Sequence, residues 1–79
     1  MRYTDGNEAM LGDTVAIDIK YRGVVVGVIE KSQYADGFPA EQWDYLKKGI
    51  LVDTDFGGLV HYPDAENEEL SLVARAKML

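Results

Sequence analysis

Apolar and polar residues alternate over residues 14–20. Val15, Ile17 and Ile19 fall on one side; Thr14, Asp18 and Lys20 fall on the other with the small Ala16. A period of two marks a strand with one buried face. Gly12-Asp13 precedes the run as a tight turn, and Tyr21-Arg22-Gly23 follows as the expected connection to a second apolar run, residues 24–29. The second run is continuous rather than alternating. Gly27 within it predicts a bulge or sharp bend of the kind that lets a short sheet coil.

The same punctuation recurs along the chain. Asp5-Gly6 is the tip expected of a short N-terminal hairpin, because both central positions of a type I′ turn need positive φ. Residues 32–39 are polar, with Asp36-Gly37 and Pro39 as breakers, and read as a loop. Pro39 suits a first helical turn, Glu41 its N-terminal end and Lys47-Lys48 its C-terminal end, with Gly49 beyond. Residues 50–56 and 59–62 form a second hairpin around Gly57-Gly58, residues 63–69 an acidic loop, and residues 70–76 a last alternating strand. The sum is mainly β: five or six short antiparallel strands with one short helix near residues 40–48, arranged as a small barrel or roll.

Length and charge narrow the reading. Seventy-nine residues make a single domain over residues 1–79, with a modest core and no cysteine to supplement it. One histidine and no cysteine leave neither a thiolate nor a multi-histidine metal site. No apolar leader opens the chain and no run is long enough to cross a membrane, so a cytoplasmic location is expected. Fourteen acidic against eight basic residues give a net charge of −6, which disfavours a phosphate backbone as partner and favours a basic protein, or simply solubility.

Gly12-Asp13-Thr14-Val15 leading to Gly23-Val24-Val25-Val26, then residues 45–52 and Gly58-Leu59-Val60-His61-Tyr62, resembles short bacterial proteins with an SH3-like barrel. The similarity spans roughly residues 2–76. Proteins of that kind sit on mobile elements such as integron gene cassettes and toxin–immunity loci. The opening is also similar to the start of KOW and Tudor-type modules, although KOW modules are basic and this chain is not. The resemblance implies an SH3-like fold and a genomic setting, and it carries over no catalytic residue.

The side chains that could bear chemistry are few. His61 titrates nearest neutral pH, but Ser32, Ser71, Asp53 and Asp55 stand in no nucleophile–base spacing, so His61 reads as a hydrogen-bonded structural residue. Asp53 and Asp55 project to one face of a strand, too few donors for an oxygen-ligand metal site. Neither a catalytic group, a metal nor a cofactor is expected. Aromatics near the loops remain: Tyr34, Phe38, Trp43, Tyr45 and Tyr62 are the candidate binding residues. They could line a groove for a peptide or cation, or close one end of the barrel, with Trp43 the expected plug and Tyr34 and Phe38 the exposed contacts.

Two functions follow from the sequence. The first is a non-catalytic, acidic protein-interaction module of immunity or mobile-element accessory type, with a protein partner of basic character. The alternative is a homo-oligomeric ligand-binding barrel that uses loop aromatics, with a homodimer formed through open strand edges.

Overall fold

A computed structural model describes residues 2–18, 20–55, 57–63 and 70–75. Six antiparallel strands form one sheet: β1 (Thr14–Ile17), β2 (Tyr21–Val28), β3 (Gln33–Tyr34), β4 (Ile50–Thr54), β5 (Gly58–Tyr62) and β6 (Leu70–Ala74). One short helix, α1 (Ala40–Trp43), continues into a 3-10 turn, Asp44–Leu46. Strand order is β5-β4-β2-β1-β6, with β3 paired to β2 beyond the end of β1. Among the described residues the sheet is open, with β5 and β6 as its edges, and the expected barrel is not closed. The expectations at Ile19, at Phe56 and over residues 64–69 and 76 lie outside the described residues.

The first hairpin turns earlier than its glycine suggests. Ile17 pairs with Tyr21, so Tyr21-Arg22-Gly23 belongs to β2 and is not the connection. The reversal is made at Asp18, whose φ of 50° lies in the left-handed region that Asp tolerates, and Lys20 N–H donates to the Asp18 carbonyl at 2.6 Å. Gly23 has a different task. A Cβ there would collide with Val52 Cγ1 and lie 3.1 Å from the Asp53 carbonyl, so its bareness lets β4 close on β2. The bend predicted at Gly27 is present: the register of β2 against β4 slips between Val25 and Gly27, leaving Val26 as a bulge.

The sheet curls around one core and carries a smaller second one on its back. Val15, Ile17, Val25, Val52, Tyr62 and Leu70 belong to the inner core, which draws on both edge strands. Val26, Ile29 and Leu51 form the outer one, covered by Tyr34, Phe38, Trp43 and Leu46 from the segment between β2 and β4. That is why Ile50, Leu51 and Val52 are all buried: the strand has apolar cover on both faces. The connecting segment therefore lies on the outer face of the sheet and not across a barrel end.

The N-terminal turn completes the other edge. Arg2 bridges Glu8, and Gly6 sits at the tip with φ 88°. Asp5 does not share the positive φ, so the tip is not the type I′ turn expected: Gly6 N–H donates to the Tyr3 carbonyl and Tyr3 N–H to the Asn7 carbonyl. Thr4 N–H donates to the Leu70 carbonyl at 2.9 Å, Leu70 N–H to Thr4 Oγ1 at 3.3 Å, and Leu72 N–H to Asp5 Oδ2 at 2.9 Å.

Candidate binding surface

The five candidate aromatics do not converge on one groove. Tyr34, Phe38 and Trp43 are half-buried and packed on the outer core. Tyr62 is 7% exposed and sits in the inner core, on the opposite face of the sheet. Tyr45 alone stands free, 71% exposed on the 3-10 turn that follows α1. The expected contacts Tyr34 and Phe38 are thus packing residues. Trp43, expected as a plug in the barrel end, covers the back of the sheet instead. Its indole N–H is buried without a partner among the described residues.

The segment carrying these rings is pinned by Asp44. Tyr34 donates its hydroxyl proton to Asp44 Oδ1 at 2.6 Å, and Ser32 Oγ lies 3.3 Å from both carboxylate oxygens. Partial burial, then the hydrogen bond to Asp44 and its negative charge, push the Tyr34 hydroxyl up to about 12. The phenol is therefore held as a donor across the working pH range.

A second anchor joins three distant parts of the chain. Asp13 is buried, and its Oδ2 accepts from Tyr3 Oη at 2.6 Å, Met10 N–H at 2.9 Å and Arg75 Nη1 at 2.9 Å. Arg75 Nη1 also lies 2.7 Å from the Glu8 carbonyl. Its role is to hold the N-terminal turn, β1 and β6 together, and sequence reasoning missed it by treating Asp13 as a turn residue. His61 behaves as expected of a structural histidine, with Nε2 3.0 Å from the Lys48 carbonyl, the tautomer being assigned so that Nε2 donates.

The covering segment leaves half of the outer face bare. Thr14, Val24 and Asp53 form one cross-strand row over β1, β2 and β4. With Arg22, Gly23, Thr54 and Asp55 they line a shallow depression of about 250 Å³. Val24 is 43% exposed at its floor, and Asp53 and Asp55 are exposed at its rim. Asp55 Oδ2 accepts from Arg22 N–H at 3.2 Å, while the Arg22 guanidinium donates back to the Tyr21 carbonyl. An apolar floor with Asp53 and Asp55 along its β4 side, and Arg22 opposite Asp55, suits a side chain with an aliphatic stem and a cationic head that meets Asp53.

No known protein family, curated protein or solved structure matches this chain. Among the described residues, no helix is long and apolar enough to cross a membrane.

Proposed function

We propose that this chain is a non-catalytic protein-interaction module whose partner presents a lysine or arginine to the bare half of the outer face. The supporting observation is the depression at Val24: an exposed valine beside Asp53, with Asp55 and Arg22 farther along the rim, on a chain of net charge −6. The aliphatic stem would cover Val24 and the cationic head would meet Asp53. Charge draws the partner in and the short range of the contact selects the side chain. On the same reading the curled sheet is an SH3-like barrel left open between β5 and β6. An immunity or mobile-element accessory role in the cytoplasm agrees with a small acidic module that works by binding.

Hexalysine titrated into isotope-labelled protein tests the reading. Amide shifts should concentrate at Thr14, Val24, Asp53 and Asp55 and weaken with added salt. Exposed ion pairs contribute about 0.2–1 kcal/mol each, so replacing both aspartates by asparagine should weaken binding roughly 5-fold. Shifts spread evenly over the acidic surface, or an affinity unmoved by the double substitution, would overturn it.

A further inference from the structure

The two edges of the sheet are treated differently. On β6 the outward backbone groups are taken up: Leu70 N–H and carbonyl bond to Thr4, and Leu72 N–H bonds to Asp5. On β5 they are not. Asp55 N–H donates to the Arg22 carbonyl and Ile29 N–H to the Gly49 carbonyl, so the odd-numbered residues along β4 face β2. Ile50, Val52 and Thr54 therefore face β5 and use the groups of Tyr62, Val60 and Gly58. Leu59 and His61, between them, turn their N–H and carbonyl groups away from the sheet, and no described residue bonds to them.

We propose that the β5 edge is the contact between two copies of this chain, paired antiparallel about a two-fold axis at Val60. The register follows from which groups point outward. Leu59 N–H and carbonyl meet those of His61 in the second copy, and the symmetric pair completes four backbone hydrogen bonds. Every outward group on Leu59 and His61 is then satisfied, and the contact closes on itself instead of propagating.

Charge favours a second copy over a basic peptide at this place. Residues 58–62 contain no acidic and no basic side chain apart from His61, on a chain that is otherwise strongly anionic. In this register Leu59 lies opposite His61 and Val60 opposite Val60, so no carboxylate faces a carboxylate within the paired strands. Repulsion between the remaining charges is screened over about 8 Å at physiological ionic strength. An unblunted edge is a template for another strand, and natural sheets usually cover such edges with the means seen here on β6. Pro63 ends the strand just beyond the pairing register. The depression at Val24 lies on β1, β2 and β4 and stays open in the dimer.

Sedimentation equilibrium of the whole chain over a concentration series tests the proposal. The wild type should rise from one 8.8 kDa chain toward twice that mass. His61→Pro removes an outward N–H that no described residue uses, together with the ring's bond to the Lys48 carbonyl, and Leu59→Lys places a cation opposite His61 of the second copy. Each should hold the chain monomeric with its far-ultraviolet spectrum unchanged, and His61→Pro, which lies opposite Leu51 and not beside Asp53, should keep hexalysine binding intact. Amide exchange on the wild type gives a reading that needs no variant: protection of Leu59 and His61 should rise with protein concentration. The proposal is overturned by a wild type that stays monomeric throughout, or by a dimer that survives both substitutions. It is equally overturned if those two amides are protected alike at every dilution, which would mean that the chain's own residues cover the edge.

Discussion

Replacing Tyr3 by phenylalanine removes one hydroxyl and keeps the ring, which is 3% exposed in the inner core. The lost bond is 2.6 Å long and ends on a carboxylate whose side chain is 1% exposed. Hydrogen bonds to charged groups contribute about 1.5–3 kcal/mol, against roughly 4–12 kcal/mol for a whole domain of this length. Asp13 keeps Met10 and Arg75 on the same oxygen, so a loss near the middle of that range, about 2 kcal/mol, is expected. For so small a domain that lowers the melting temperature by roughly 8–16 °C. Urea denaturation measures it directly, with a lower midpoint and an unchanged slope. Because Tyr3 and Arg75 share one acceptor atom, Tyr3→Phe combined with Arg75→Gln should depart from additivity by more than about 0.5 kcal/mol. The alkaline limb gives a second reading. Burial first, and then the hydrogen bond and charge of Asp13, raise the Tyr3 hydroxyl well above its ordinary value. The folded chain thus keeps a proton that the unfolded chain loses near pH 10. That contribution is complete below about pH 10 and fades as pH rises toward the folded value, so Tyr3→Phe should flatten the decline above it. A loss below about 0.5 kcal/mol, with the alkaline limb unchanged, would refute the anchor.

Two further contrasts test the packing. Gly49 and Gly37 both have positive φ, 94° and 87°, but only at Gly49 would a Cβ meet backbone, colliding with the Tyr62 carbonyl and lying 2.7 Å from Pro63 Cα. Gly37→Ala should cost about 1–2 kcal/mol and Gly49→Ala roughly 3 kcal/mol or more, by the same denaturation measurement; equal costs would remove the close approach from the account. Among the aromatics, Trp43→Ala should cost about 2 kcal/mol, discounted for half-burial, while Tyr45→Ala should stay within about 0.5 kcal/mol. A larger effect at Tyr45 would mean that its ring packs and is not free.

Much of the strand content was legible because its signals are local. Alternation located β1 and β6, Gly57-Gly58 located the β4–β5 reversal, and Gly27 marked a real bulge. The failures share a physical cause. Gly23 has the sequence signature of a turn, yet a glycine's reason for being bare can lie in another strand, here the approach of Val52. Asp13 has the sequence signature of a turn residue, and nothing near it announces Arg75, 62 positions away. The rings on the connecting segment were visible, but not the face they would cover. That choice depends on the bulge at Val26, which interrupts the alternation of β2 and lets its apolar residues serve both cores.

The clasp around Asp13 also orders events in time. Its partners are separated by 10 and 62 positions, and the β6–N-terminal bonds by 66 and 67. The β2–β4–β5 meander needs only residues 21–62 and can pair as soon as they are in solution. The N-terminal turn has to meet β6 and Arg75 across loops of more than sixty residues before its edge groups and Asp13 Oδ2 gain those partners. Until then Asp13 is a hydrated turn residue and Tyr3 an exposed ring. Closing that loop is the largest entropic step this topology asks of the chain.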